Sequence, residues 1–240
     1  TPMVVGCFLM AVKFMKLKHL KSIAMKIHIL NQQTSIANQF LCELRDTSVQ
    51  TDRLRFRANL ERLGELMAYE FSKTLLAKKC EVATPLGTSQ AEVPVNDLVM
   101  VTVLRAGIPF YQGFLNIFDK AESGFIGAYR EEGSAKDLMI TLNYSALPNL
   151  DNKQLVLIDP MLATGKSLVK AFNQCLKYGH PKAVHIMSVI SAPEGISYLE
   201  ESIDHPGSIW TWAKDSHLNE MAYIVPGLGD AGDLSFGTKE

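Results

Sequence analysis

Leu155-Val156-Leu157-Ile158 runs straight into Asp159-Pro160-Met161-Leu162-Ala163-Thr164-Gly165-Lys166-Ser167, after which apolar residues recur at helical spacing. A carboxylate at the tip of a buried strand can accept the protons of sugar hydroxyls. Backbone N–H groups and the positive end of the helix that follows can hold a phosphate. Together they suit a phosphorylated sugar, although a strand–helix turn capped by Asp159 and Thr164 would use the same residue types. A P-loop that cradles a nucleoside triphosphate is opposed. Gly165-Lys166-Ser167 supplies only the end of that motif, and where it needs an earlier glycine the chain has Pro160, with fixed φ and no N–H.

Such a turn needs a sheet to carry it. Leu98–Val103, Leu155–Ile158 and Val184–Ile190 are short apolar runs of buried-strand type. Leu168, Ala171, Phe172, Cys175 and Leu176 lie between the last two at helical spacing, and Gly179 closes that segment. Strand, helix, strand with short connections means parallel pairing through a right-handed crossover. In an open parallel sheet, ligands bind beyond the carboxyl ends of the strands, where Asp159 would stand. Residues 33–80 read as helical: Phe56, Leu60, Leu63, Met67, Phe71 and Leu75 form a core-facing stripe, with Thr51-Asp52 available as a cap. Gly, Pro, Ser and Thr accumulate from Thr84 to Pro94, which reads as a loop. Phe125–Tyr129 and Asp137–Tyr144 read as further strands, the second part of a hairpin or flap. The expected architecture is a doubly wound, mainly parallel α/β sheet with N-terminal helices and a β-hairpin flap.

Composition agrees. The 240 residues are 47% apolar and 20% charged, with a net charge of −1, which excludes disorder and opposes a general nucleic-acid binder. The charge is uneven: residues 1–30 hold Lys13, Lys16, Lys18, Lys21 and Lys26 and no acid, whereas the second half is acidic. Residues 1–24 carry an apolar stretch too short to span a bilayer, with lysines after it rather than before. They read as an appendage to a single domain over 25–240, a membrane-surface anchor being the sharper alternative. Cys7, Cys42, Cys80 and Cys175 are too far apart for a CxxC pair and read as scattered buried thiols of a cytoplasmic protein. The six histidines show no metal spacing, so no protein-caged metal is expected.

Several motifs then resemble one family in the right order. Asp159-Pro160-Met161-Leu162-Ala163-Thr164-Gly165 resembles the 5-phosphoribosyl-pyrophosphate (PRPP) loop of uracil phosphoribosyltransferases, members of the type I phosphoribosyltransferases. Leu104-Arg105-Ala106-Gly107 resembles their pyrophosphate loop, and Gly124 to Arg130 a "GFIGxxR" segment. Ala192-Pro193-Glu194-Gly195 also fits. Tyr223 to Asp233 is similar to the uracil-binding end, and Phe236-Gly237-Thr238-Lys239 to the terminus. The resemblance runs from about Met25 to Lys239.

It implies a phosphoribosyltransferase-like fold and transfer of phosphoribose from PRPP to uracil, giving UMP and pyrophosphate, with Mg²⁺ carried on PRPP. Asp159, Arg105 and Asp230 are the expected catalytic residues. Arg105 and Arg130 would contact pyrophosphate through guanidinium forks. Asp159 would take the ribose hydroxyls, Pro160 to Leu162 would belong to the same PRPP loop, and Ala163 to Ser167 would wrap the 5′-phosphate. Asp230 would sit near the ribose or the magnesium shell. Backbone groups at Ile224, Gly229, Asp230 and Ala231 would read uracil. The family would act as a homodimer or higher homo-oligomer, with GTP a candidate effector and neither nucleic acid nor membrane a partner. Arg53, Arg55 and Arg57 could form a phosphate or GTP site, but read better as a solvated or intersubunit face. Trp210 and Trp212 read as core or interface aromatics.

Departures from the family pattern stand at Lys166, where a small residue is usual, and at Lys214 and His217 before the base segment. Lys166 could add charge to the phosphate site; the first turn of a helix more readily turns it to solvent. Two rivals from other classes are an RNA-binding regulator on the same fold and a P-loop NTPase. The first lacks a basic surface outside residues 1–30, and the second is opposed by Pro160.

Overall fold

A computed structural model of the chain describes residues 25–130 and 140–238, giving the backbone alone for 128–130 and 140–143. Residues 1–24 and Lys239, which carry sequence-based expectations, lie outside the described residues. In chain order the strands are β1 (Lys26–Ile29), β2 (Ala77–Thr84), β3 (Gly87–Pro94), β4 (Leu98–Leu104), β5 (Glu122–Arg130), β6 (Ile140–Ala146), β7 (Gln154–Ile158), β8 (Met161–Leu162), β9 (Ala183–Ser191), β10 (Gly207–Lys214), β11 (His217–Leu218) and β12 (Ile224–Val225). The helices are α1 (Ile36–Arg45), α2 (Arg53–Ser72), α3 (Ile108–Ile117), α4 (Lys166–Cys175), α5 (Pro193–Ser202) and α6 (Ala231–Phe236).

The main sheet has the order β1-β10-β9-β7-β4-β5-β6, with β8 beside β9. All its pairs are parallel except β5 with β6, the antiparallel flap. Alternating side chains sort the interior into two layers. Val99, Val101 and Val103 of β4, with Leu155 and Leu157 of β7, pack against Leu168, Ala171, Phe172 and Cys175 of α4 and Ile196 and Leu199 of α5. Met100, Val156 and Ile158 face the other way, onto Phe56, Leu60, Leu63, Met67 and Phe71 of α2 and Phe110 and Phe114 of α3. Helices therefore cover both faces of a doubly wound sheet.

Asp52 caps α2, accepting N–H bonds from Leu54 and Arg55 at 3.0 and 3.1 Å. Helices α2 and α3 touch backbone to backbone: a Cβ on Gly64 would stand 2.2 Å from the Phe110 carbonyl oxygen. Trp210 and Trp212 are core residues, the latter donating from Nε1 to the Leu63 carbonyl. At the amino ends of the strands Asp97 accepts from Gln154 Nε2 at 2.7 Å and from Lys182, and Lys153 reaches Glu122 at 2.5 Å.

Three expectations fail here. Helix α2 ends at Ser72, and the segment from Thr84 to Pro94 is not a loop but the turn and second strand of an antiparallel hairpin with β2. Both strands stand in solvent, so they carry no apolar alternation to mark them. The thiols are not uniformly buried either: Cys42 is exposed, whereas burial pushes the Cys175 thiol up to about 12. Among the described residues no helix is long and apolar enough to cross a membrane.

Candidate active site

Parallel pairing sends the exits of β4, β5, β7, β9 and β10 to one edge of the sheet. Arg105, Asp159, Ala192 and Asp215 therefore leave the sheet on the same side, as does the Arg130 backbone. Register tightens this placement: Thr102 of β4 pairs with Ile158, and its hydroxyl donates to the Ile158 carbonyl at 3.0 Å. Asp159 thus follows β7 beside the end of the strand that delivers Arg105.

Asp159 Oδ1 accepts the Met161 N–H at 3.1 Å, an Asx-type turn that starts the loop. Pro160 and Leu162 are buried, and the Pro160 carbonyl accepts the N–H groups of Val189 and Ile190 at 2.9 and 3.1 Å. Only the backbone of these residues can face a ligand. Met161, Ala163, Thr164 and Ser167 are half-buried. Gly165 has φ +75°, and a Cβ there would stand 2.9 Å from the Gly195 carbonyl oxygen. Gly195 in turn fits under the Ala163 carbonyl, where its own Cβ would come within 2.1 Å. The start of α5 is thus the brace of the Asp159–Ser167 loop, which accounts for the Ala192-Pro193-Glu194-Gly195 motif. Lys166 opens α4 with an exposed side chain, and its N–H meets Thr164 Oγ1 at 3.4 Å.

Arg105 is engaged by the C-terminal segment. Its Nη2 reaches Asp233 Oδ1 at 2.8 Å and the Gly237 carbonyl at 2.5 Å. Its Nε is buried and has no hydrogen-bond partner among the described residues. Asp230 caps α6, Oδ1 accepting from Gly232 N at 2.8 Å and Asp233 N at 3.0 Å. A Cβ on Gly232 would lie 3.7 Å from Ala106 Cβ and 3.8 Å from Arg105 Nε. The structure therefore seats the Asp230–Asp233 turn on the Arg105 loop. Arg130 ends β5 opposite Ile140, but its side chain lies outside the described residues.

Ile224 is buried and pairs through its backbone with Leu218, while Gly229 and Asp230 are exposed and Ala231 is buried. Glu194 Oε1 accepts the Leu218 N–H at 3.0 Å. That bond, first among the causes, holds the Glu194 carboxyl below the usual carboxylate range. Lys214 and His217 are both exposed, and the His217 ring meets Ser216 Oγ at 2.9 Å.

A cleft of about 350 Å³ lies between the α1–α2 turn and the C-terminal segment, lined by Gln50, Thr51, Arg53, Gly229, Asp230 and Asp233, with Leu234 and Thr238. The Asp159–Ser167 loop does not line it. The first three of the four arginines of α2 divide their work differently from the expected single face. Arg53 lines this cleft, Arg55 pairs with Glu43 at 3.2 Å, and Arg57 donates to the Ser235 carbonyl at 2.7 Å. Sequence reasoning missed Arg45 and Asp215, which hydrogen-bond each other and Gly227. They stand 170 positions apart, and no spacing signal links them.

A family model described as "Uracil phosphoribosyltransferase" matches residues 31–238. A uracil phosphoribosyltransferase of Porphyromonas gingivalis is 44% identical over 215 residues, which cover 90% of this chain and 100% of that protein. One from Thermococcus gammatolerans is 41% identical over 203 residues, 83% of this chain and 88% of that one. Among solved structures, the AQ2163 protein from Aquifex aeolicus matches with a TM-score of 0.78 and 34% identity, over 88% of this chain and 98% of that chain.

Proposed function

Because the chain belongs to the uracil phosphoribosyltransferase family, we propose that Asp159, Arg105 and the backbone from Ile224 to Ala231 divide the work of its reaction. The enzyme is a pentosyltransferase that moves phosphoribose from PRPP to uracil, giving UMP and pyrophosphate in pyrimidine salvage. Supporting this division is the seating of the Asp230–Asp233 turn on the Arg105 loop, since base and pyrophosphate contacts must meet at one ribose carbon.

The C1′–oxygen bond to pyrophosphate breaks with its electron pair leaving on pyrophosphate, while positive charge grows on the ribose. A uracil ring nitrogen bonds C1′ and its proton is released. Asp159 receives the ribose hydroxyls, and its negative charge favours the cationic sugar. The backbone of Ala163 to Ser167, at the start of α4, holds the 5′-phosphate; Pro160, Met161 and Leu162 shape that loop from below. Arg105 and Arg130 grip the leaving pyrophosphate, the Arg105 Nε–H being the donor still to be satisfied. Backbone groups of Ile224, Gly229, Asp230 and Ala231 read the uracil edge. Cytosine presents an amino donor where a carbonyl acceptor is required, so such a pocket rejects it.

Mg²⁺ supplies neutralisation of the diphosphate charge when bound. In this reading PRPP would carry it, and Asp230 would be the protein carboxylate near the ribose or the hydration shell of the ion. The exposed apolar side chains of Leu76, Val82 and Leu86 on and beside the β2–β3 hairpin support a homo-oligomer. Free thiols at Cys42, Cys80 and Cys175 suit a cytoplasmic setting. Arg55, Arg57 and Arg62 are engaged within the chain, and Arg53, which lines the cleft, is the arginine of that helix we assign to a GTP phosphate.

Formation of labelled UMP from labelled uracil, with and without PRPP, tests the reading. UMP is expected only when PRPP and Mg²⁺ are both present. ATP turnover without uracil would favour the NTPase instead, and leader-RNA binding without UMP formation would favour the regulator.

A further inference from the structure

Gly227 is held by both of its backbone polar groups. Its carbonyl accepts from Arg45 Nη1 at 2.8 Å, and its N–H donates to Asp215 Oδ2 at 3.0 Å. The two side chains that hold it also hold each other: Arg45 Nη2 to Asp215 Oδ1 is 2.7 Å and Nη1 to Oδ2 is 2.9 Å, a two-pronged fork. The Asp215 side chain is 5% exposed and that of Arg45 21%. Asp215 leaves β10 with its N–H on the Ser191 carbonyl, so it is rooted in the sheet. Arg45 is the last residue of α1, and its carbonyl accepts from Gln50 Nε2 at 3.1 Å. One partner therefore belongs to the sheet and the other to the N-terminal helices.

Gly227 is also where the chain reverses. Its φ is +65°, and a Cβ would stand 2.1 Å from the Ile224 carbonyl oxygen. On one side of that reversal lies Ile224, and on the other Gly229 to Ala231, the backbone assigned above to the base. A planar base read by backbone groups is discriminated only if those groups are fixed to within a fraction of an ångström. A buried ion pair is poor at adding stability, because desolvation offsets its attraction, but a forked one fixes geometry in two directions.

We infer that Arg45 and Asp215 are positioning residues for uracil: the fork sets the Gly227 reversal and so the aim of the base-reading backbone, without touching substrate. This rests on the assignment of uracil to residues 224–231. Neither residue belongs to the PRPP loop or to the Arg105 loop, and the Gly227 they hold lies between the base-reading Ile224 and Gly229, so the pair bears first on uracil.

The test compares Arg45→Lys, Asp215→Asn and the double variant Arg45→Met/Asp215→Leu, which removes both charges together and strands neither. Uracil KM, PRPP KM, kcat and Tm are measured for each. Uracil KM is expected to rise about tenfold or more in all three, with PRPP KM and kcat within about threefold of wild type. Lysine keeps the charge but loses the fork, so Arg45→Lys is expected to resemble the other variants in uracil KM. The double variant is expected to melt close to wild type while keeping the raised uracil KM, which separates aim from stability. The inference is overturned if both constants rise together, if uracil KM stays put, if the double variant regains the wild-type uracil KM, or if none of the three folds. Wild-type protein that makes no UMP would sink the site assignment itself; wild-type turnover with unmoved variant constants sinks only the pair.

Discussion

Arg105 and Asp233 lie 128 positions apart in the chain and 2.8 Å apart in the structure, Nη2 to Oδ1. The contact closes the C-terminal turn onto the loop that leaves β4. It occupies one nitrogen of a guanidinium that has five N–H donors, so orientation is fixed while most of the donors stay available.

Asp233→Asn is therefore expected to act on PRPP rather than on stability. The two side chains are 31% and 36% exposed, and such pairs contribute about 0–1 kcal/mol. A three- to tenfold rise in PRPP KM, roughly, is expected, with little change in uracil KM or Tm. Steady-state kinetics beside thermal melts check this, and a variant with tighter PRPP binding would show that Asp233 competes for Arg105.

Asp159→Asn keeps the side-chain shape and the oxygen that accepts the Met161 N–H. The loop should hold while the charge beside the ribose is lost. Turnover is expected to fall on the order of a hundredfold, the scale of one preorganised electrostatic group. Unchanged circular dichroism with wild-type turnover would remove Asp159 from the ribose site.

Lys166→Gly separates a phosphate contact from a solvated side chain. Lys166 is exposed, so the substitution is expected to cost about 1 kcal/mol of helix stability or less, with PRPP KM changed by less than about threefold. A charged donor on phosphate is worth ~1.5–3 kcal/mol, or a tenfold rise and more. Such a rise, shrinking at high salt, would place Lys166 in the site.

His185 sets a pH dependence of stability. Burial first, then the nearby charge of His28, lowers it from 6.5 to about 4, with Ser208 Oγ at 2.7 Å from Nδ1 and Gln154 Oε1 at 3.2 Å from Nε2. Between those pH values the unfolded chain binds the extra proton. The stabilisation from this group is thus complete above pH 6.5 and is lost as pH falls towards 4, by about 3 kcal/mol. Denaturant melts of wild type and His185→Gln across that window check it: the gap between them should narrow in acid, and a constant gap would contradict the buried neutral ring.

What the sequence made legible follows the physics of burial. Leu98–Val103, Leu155–Ile158 and Val184–Ile190 are apolar because both of their faces are covered, and each lies within an observed strand. Asp159 was legible because a carboxylate stands at the carboxyl end of such a run, where open parallel sheets place their ligands. The β2–β3 hairpin was not legible, since Leu86 is fully exposed at its turn and neither strand packs a face on the core. Asp215 was hidden for another reason. Its partner Arg45 is distant in sequence, and the departures from the family pattern on either side of it, Lys214 and His217, are both solvent-exposed.

The sheet's two ends have unequal liberties. The amino ends of its strands are tied by Asp97, Gln154, Lys182, Lys153 and Glu122, none of which belongs to the segments 105–107, 159–167 or 224–233 at the opposite rim. Drift at that end can alter how long the enzyme survives heat while leaving its selectivity alone, whereas drift at the opposite rim alters what it accepts. Lineages can therefore adapt durability and preference on separate schedules. A surface tether placed near Lys153 or Lys182 would leave the rim open to small molecules.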